Sequence, residues 1–85
     1  MGTVDDLFGA NISRADLRET DLRRADLRRA DLRRADLSGA DLRWADLRRA
    51  NIRGAKYDSS TVWPDGFDPE AAGAELVTVE GGGHQ

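Results

Sequence analysis

An all-β fold wound as a solenoid is predicted from a five-residue repeat that neither a helix nor a flat strand accommodates. A bulky apolar residue recurs at every fifth position from Leu7 to Val62, with a small residue, usually Ala, two positions before it. Asp or Asn directly precedes the bulky residue from Asp6 through Asn51. A helix turning ~100° per residue would scatter the leucines around its cylinder, and in a strand an odd period places them on alternating faces. A chain that bends after every five residues turns both the small and the bulky side chains inward.

The coil length follows from the repeat if four bends close a square. One coil then takes twenty residues, and residues twenty apart stack at about 4.8 Å, the usual distance between strands. This arithmetic predicts four inner columns: Leu7, Leu27 and Leu47; Ile12, Leu32 and Ile52; Leu17, Leu37 and Tyr57; and Leu22, Leu42 and Val62. Because Ala, Leu and Arg are also strong helix formers, a single charged helix is the rival fold.

Tandem units such as Ala25-Asp26-Leu27-Arg28-Arg29 resemble the pentapeptide-repeat family over about residues 5–64. The resemblance implies a right-handed quadrilateral β-helix, here of about three coils. The segment from Tyr57 through Ala74, which contains the run from Trp63 to Gly73, also resembles an ending often found after such repeats. We therefore expect a lead-in over residues 1–4, a solenoid over 5–64, a capping segment over 65–80 and a disordered tail over 81–85.

The capping segment carries signals for a turn and a short helix. Pro64-Asp65-Gly66 predicts a turn with Pro at its second position, and Asp68-Pro69 predicts a helix N-cap followed by Pro at the first helical position. We expect a short C-terminal helical cap that Phe67, Leu76 and Val77 anchor over the last coil.

Charge is segregated along the chain although the net charge is only −3. All 13 basic residues lie in residues 14–56 with eight acids, which gives +5, whereas residues 57–85 carry six acids and no base. No apolar stretch is long enough to span a membrane, and the first residues do not resemble a secretory signal. We expect a cytoplasmic protein.

Catalytic chemistry finds few candidates in this sequence. There is no Cys, and the single histidine, His84, lies in the Gly-rich end far from any serine that it could activate. The carboxylates are set by the repeat and interleaved with Arg, which disfavours a metal site. The sequence predicts no enzyme, no catalytic or metal residues and no cofactor.

The predicted function is a non-enzymatic scaffold module that presents a rigid charged surface to an unidentified protein partner. Trp44 is a bulky aromatic residue at an outward position, expected over Arg24, and exposed Trp flanked by Arg is typical of interaction hot spots. The alternative interpretation of the Arg residues is a solvated surface on which a nearby Asp neutralises each of them. The candidate interaction surface consists of Arg28, Arg29, Arg33, Arg34, Trp44, Arg48 and Arg49.

The columns of Asp residues support a second interpretation. Some pentapeptide-repeat proteins act on DNA gyrase by mimicking DNA, so the resemblance alone raises the alternative of a DNA mimic that modulates a type II topoisomerase. A simpler hypothesis is that each Asp hydrogen-bonds its local bend and pairs with a neighbouring Arg. Nucleic-acid binding by the Arg columns, an end-to-end homodimer through the Leu7 coil and a structural module without a partner are further hypotheses.

Overall fold

A computed structural model of the chain describes residues 6–77. The lead-in at 1–4, the first solenoid residue Asp5, the end of the capping segment at 78–80 and the tail at 81–85 lie outside the described residues. The described strands are β1 (Lys56–Tyr57) and β2 (Glu75–Leu76), which pair in parallel with Lys56 opposite Glu75. Within residues 6–77 no helix is long and apolar enough to cross a membrane.

The coils stack through isolated parallel bridges between residues twenty positions apart. Asp26 bridges Asp6 on one side and Asp46 on the other. The N–H of Leu27 donates to the Asp46 carbonyl at 2.9 Å, and the N–H of Asp46 donates to the Ala25 carbonyl at 2.9 Å. These pairs confirm the predicted twenty-residue spacing. Further bridges of this spacing join Asn11 to Asp31, Asp31 to Asn51, Asp16 to Asp36, Asp36 to Lys56 and Asp21 to Asp41.

Each five-residue unit bends at a hydrogen-bonded turn that follows its apolar centre. The N–H of Ala30 donates to the Leu27 carbonyl at 3.0 Å, and the same bond recurs along the repeat. We call the residue before the centre the Asp position, and the two after it the first and second turn positions. The second turn position has a positive φ in every unit from residue 9 to residue 54, between 58° and 73°. Positive φ at this position characterises a type II turn.

The core is filled by the leucines and alanines of the repeat, as the alternation predicts. Leu27 and Leu32 are fully buried, whereas Leu7, Ile12 and Leu17 of the first coil are only partly buried. Among residues 6–77 nothing lies beyond this first coil to cover it. The buried large side chains with no exposure above 1% are Leu22, Leu27, Leu32, Leu37, Leu42 and Ile52.

The last predicted inward position is wrong. Val62 is 40% exposed and bridges Asp41 at a spacing of 21 residues, so it occupies the Asp position instead of the centre. The turn begins one residue late, with the Thr61 N–H donating to the Asp58 carbonyl at 3.0 Å, and the Thr61 hydroxyl donates to the Leu37 carbonyl at 2.9 Å. The extra residue turns Trp63 toward the core in place of Val62.

An aromatic stack closes part of the C-terminal end. The Trp63 ring meets Tyr57 edge-on at 5.4 Å and stacks on Phe67 at 5.2 Å, and both Trp63 and Phe67 pack against the core. Phe67 therefore anchors the cap as predicted. The same role predicted for Leu76 and Val77 is wrong, since they are 49% and 37% exposed.

The predicted helical cap takes the form of one capped turn, and no helix is assigned in residues 6–77. Asp68 caps its beginning, because its Oδ1 accepts the N–H groups of Glu70 and Ala71 at 3.1 and 3.2 Å. Gly73, with φ of 97°, ends it as the N–H of Ala74 donates back to the Pro69 carbonyl at 3.0 Å. This pairing is a Schellman motif, which leaves no room for a second helical turn. The preceding turn places Pro64 at its first position, not its second, since the Phe67 N–H donates to the Pro64 carbonyl.

Candidate interaction surface

The predicted surface residues lie on three of the four corners of the solenoid. Corner 1 gathers Arg28, Arg29, Arg48 and Arg49 with Phe8 around a shallow depression of about 210 Å³. Arg33 and Arg34 lie on corner 2, and Trp44 lies on corner 4. The corners comprise residues 8–9, 28–29 and 48–49 (corner 1); 13–14, 33–34 and 53–54 (corner 2); 18–19 and 38–39 (corner 3); and 23–24 and 43–44 (corner 4).

Arg at a first turn position is held by the Asp two residues before it. Asp26 accepts the Arg28 backbone N–H at 3.2 Å and its Nε at 2.8 Å through Oδ1, and its Oδ2 accepts Nη2 at 2.8 Å. The Asp side chain thus closes the bend and binds the guanidinium with both oxygens. The simpler hypothesis for the Asp columns is confirmed by this geometry. The same arrangement is found for Asp16 with Arg18, Asp21 with Arg23, Asp31 with Arg33, Asp41 with Arg43 and Asp46 with Arg48.

These bonds favour the ionised carboxylates. The hydrogen bonds from the Arg side chain, followed by the backbone N–H, lower the pKa of Asp16, Asp21 and Asp46 from 3.8 to about 2. The pKa of Asp26 is lowered in the same direction, first by the Arg28 side chain. Asp16, Asp21, Asp26 and Asp46 are therefore ionised at neutral pH, and each of these charges is matched by its own guanidinium.

Arg at a second turn position is different, because no Asp stands two residues before it. Arg29, Arg34 and Arg49 are exposed and make no ion pair with the residues that the structure describes. The predicted surface therefore divides into neutralised Arg28, Arg33 and Arg48 and the three unpaired arginines. The sequence analysis missed this division, although the Asp-x-Arg spacing contains it.

Trp44 is the most prominent apolar feature of the outer surface. It is 62% exposed, and its second turn position has a φ of 63°. The Cζ of Arg24 lies 5.1 Å from a Trp44 ring centroid, as predicted, and the Cζ of Arg43 lies 5.7 Å away, which the sequence analysis missed. Both cations lie within the range of cation–π attraction to the indole.

An open groove begins at Trp44 and runs to the capping segment. It has a volume of about 530 Å³, with the edge of Leu47 and the ring of Phe67 among its apolar walls. The position of Phe67 depends on the late turn at Asp58, so the repeat alone did not reveal this groove. Its lining residues are Trp44 to Arg48 and Pro64 to Phe67.

Within residues 6–77 no ion pair joins the acidic C-terminal segment to the arginines of the coils, and no metal cluster is found. The ion pairs there all join Asp and Arg of the repeat, and none involves an acid of residues 58–77. That range also contains no group of three or more His, Cys, Asp or Glu that could hold a metal ion.

Comparison with known proteins agrees with this architecture. The model of pentapeptide repeats matches residues 6–43 and 25–56, with eight copies. The chain is similar to Rfr23, a pentapeptide repeat protein from the cyanobacterium Cyanothece 51142, at 36% identity and a TM-score of 0.67. That match covers 68% of this chain and 40% of Rfr23, so the chain spans well under half of that relative. A second match is alr5209, a pentapeptide repeat protein from Nostoc Pcc 7120, at 38% identity, a TM-score of 0.47, and coverage of 88% of this chain and 74% of that one. No protein of curated function matches the sequence.

Proposed function

Because the chain belongs to the pentapeptide-repeat family, we propose that it is a non-enzymatic scaffold module that binds a protein partner through its outer surface. Proteins of this family form right-handed β-helices and are generally structural repeat proteins without catalytic activity. In this proposal about three coils form the rigid body, and the capped turn with β2 closes its C-terminal end.

The exposed side chain of Trp44 is the observation that carries the proposal. A left-handed backbone costs a residue other than Gly about 1 to 2 kcal/mol, and Gly fills the equivalent positions 39 and 54. The Trp44 indole is 62% exposed at this position, so most of its apolar surface is not buried by folding. Trp and Arg together dominate the energetics of protein interfaces, so this residue is the expected anchor.

The groove beside Trp44 gives the anchor a site for a partner side chain. Its walls combine the Trp44 and Phe67 rings with Leu47, and the Asp46–Arg48 ion pair lies along one edge. An apolar centre with a charged rim is the arrangement of a standard interface hot spot. A partner that inserts an aliphatic or aromatic side chain here would bury Trp44 and leave the Asp46–Arg48 ion pair intact at the edge.

The unpaired arginines supply a field around the solenoid that would steer an acidic partner toward it. Arg29 and Arg49 share corner 1, whereas Trp44 lies on corner 4. The face that carries Asp46 separates these two corners. Exposed charges of this kind raise association rates more than final affinity, and salt screens them. We expect association to slow as salt is added while the Trp44 contact remains.

The DNA-mimic alternative rests on the resemblance alone. A mimic of the phosphate backbone requires unneutralised carboxylates, whereas six Asp residues of the columns each bind their own Arg with both oxygens. No observation on this surface favours that alternative.

In-cell cross-linking followed by affinity purification from the native host tests the proposal. The chain is compared with Trp44→Ala and with Glu19→Ala, a matched control because Glu19 also occupies an exposed second turn position, with φ of 58°. We expect Trp44→Ala to lose a cross-linked protein that the parent and Glu19→Ala retain, with Trp44→Phe intermediate. Identical partner sets for Trp44→Ala and the parent, with both variants folded by circular dichroism, would reject the Trp44 surface.

A further inference from the structure

Residues 51–56 depart from the commonest repeat unit, Ala-Asp-Leu-Arg-Arg, at three places around one corner. Asn51 and Lys56 occupy Asp positions, and Gly54 occupies a second turn position that Arg holds in the two coils below it, at Arg14 and Arg34. Gly54 lies on corner 2, and Asn51 and Lys56 lie on the faces before and after it. Together they change both the charge and the shape of this part of the surface.

The charge changes because one carboxylate is missing and one ammonium is added. Asn51 Oδ1 accepts the Arg53 backbone N–H at 3.1 Å and so preserves the bend, but an amide gives the guanidinium no counter-charge. Lys56 places its ammonium in the column that holds Asp16 and Asp36. Arg34, Arg53 and Lys56 are all exposed and make no ion pair within residues 6–77.

The shape changes because glycine replaces a side chain where the backbones approach closely. A Cβ on Gly54 would lie 3.3 Å from the Cγ of Arg34, and a Cβ on Gly73 would lie 3.2 Å from the Cγ of Arg53. Gly54 lines a pocket of about 520 Å³ at this corner. Its lining consists of Arg33, Arg34, Arg53, Gly54, Lys56 and Glu75.

We propose that this pocket binds the phosphate group of a phosphate monoester or of the free ion. Arg33 is already bound to Asp31, so the charges available are those of Arg34, Arg53 and Lys56 against Glu75, a net +2. A phosphate monoester carries between about −1.5 and −2 at neutral pH and presents three acceptor oxygens. It therefore matches both the charge and the donors better than a carboxylate, because Arg offers a planar fork and Lys a point charge.

Glu75 distinguishes this pocket from a uniformly basic surface, because its negative charge opposes the binding of phosphate. It stands in β2 opposite Lys56 and is the only carboxylate in the lining of this pocket. A carboxylate beside a bound phosphate opposes it by like-charge repulsion, so removing this charge should tighten binding. β2 thereby couples the capping segment to the occupancy of the pocket.

Nuclear magnetic resonance titration of the full chain at constant ionic strength tests the site. The probes are inorganic phosphate, phosphoserine and adenosine monophosphate, with chloride as the reference anion. We expect saturable shifts in the amides of Arg53, Gly54 and Lys56. Binding should weaken about threefold in Arg53→Ala or Lys56→Ala and tighten about threefold in Glu75→Gln, as expected for one exposed charge pair.

Arg23→Ala is the matched control, because it removes the same charge at the same turn position on corner 4, where Arg23 is paired with Asp21. It should bind like the parent, and so should Trp44→Ala, which separates this site from the proposed protein interface. Tighter binding of one probe would identify the source of the phosphate and support the site. Absence of saturable shifts with all three probes, or equal weakening by Arg23→Ala and Arg53→Ala, would overturn it.

Discussion

Arg24 lies against Trp44 across one coil, with its guanidinium carbon 5.1 Å from a ring centroid, and both residues hold a left-handed backbone, at φ of 66° and 63°. The turn that stacks the coils requires this backbone at each second turn position. Only three of the ten such positions between residues 9 and 54 carry Gly. The outer corners therefore carry large side chains at positions where the left-handed backbone favours glycine.

Replacing Arg49 tests the backbone strain directly. Arg49→Gly should be more stable than Arg49→Ala by about 1 kcal/mol, since both remove the side chain and only Ala keeps the left-handed penalty at φ of 64°. The difference in free energy of unfolding from urea denaturation measures it. At Arg48, which is not at a positive-φ position, the order should reverse because Gly is the more flexible residue in the unfolded chain. Equal stability of the two Arg49 variants would contradict a strained corner.

The Asp position has two roles that Asp41 can separate. Asp41 accepts the Arg43 backbone N–H at 3.2 Å, and its other oxygen binds Nη2 at 2.6 Å. Asp41→Asn should keep the bend and lose only a surface ion pair, about 0.5 kcal/mol, whereas Asp41→Ala should lose about 1 kcal/mol more with the bend's hydrogen bond. Thermal denaturation of the three proteins gives the comparison, and an equal loss in both variants would place the whole effect in the ion pair.

Acid should destabilise the solenoid as the pH falls below about 4. The pKa of Asp16, Asp21 and Asp46 is about 2 in the folded chain against an ordinary 3.8, so the unfolded state binds protons first as the pH falls. The stability that these carboxylates contribute is complete above about pH 4 and is lost progressively as the pH approaches 2.

Urea denaturation at a series of pH values measures this dependence. In Asp46→Asn the fall between pH 4 and 2 should be shallower than in the parent, because one of the shifted carboxyl groups is gone. A parent whose stability already declines near pH 6 would show that other groups dominate.

The coils should contribute unequally to stability. Leu27→Ala should cost about 3 to 4 kcal/mol, because Leu27 is fully buried between two coils and its removal leaves a cavity. Leu7→Ala should cost less than about 2 kcal/mol, since Leu7 is partly exposed in the first coil. Chemical denaturation compares the two, and similar losses would mean that the first coil is covered as well as the second.

Regular parts of the fold followed from the sequence, and the irregular end did not. The columns through Leu27 and Leu32 were predicted because each unit repeats the same bend and the same inward pair. Val62 was placed wrongly because Thr61 adds a residue whose hydroxyl bonds to the preceding coil at Leu37, a contact that no local pattern contains. β2 was missed for the same reason, since its two residues become a strand only by pairing with Lys56 and Tyr57.

The candidate sites show the same division. Trp44 and its neighbour Arg24 could be named from their twenty-residue separation, whereas the groove required the position of Phe67. Arg53 follows Asn51 where the paired arginines follow an Asp, and only the stacking of Gly54 on Arg34 and of β2 on β1 reveals a pocket around it.

The amino-acid order alone determined the bend at every fifth residue, the inward Leu and Ala, and the pairing of six Asp residues with the Arg two residues later, because all of these depend on neighbours within one repeat. The tertiary structure decided which end is closed, which side chains gather around each pocket and where the grooves open. Those features arise from contacts between coils, which join residues about twenty positions apart, or from contacts within the aperiodic C-terminal segment. They form only when the folded backbone brings these residues together.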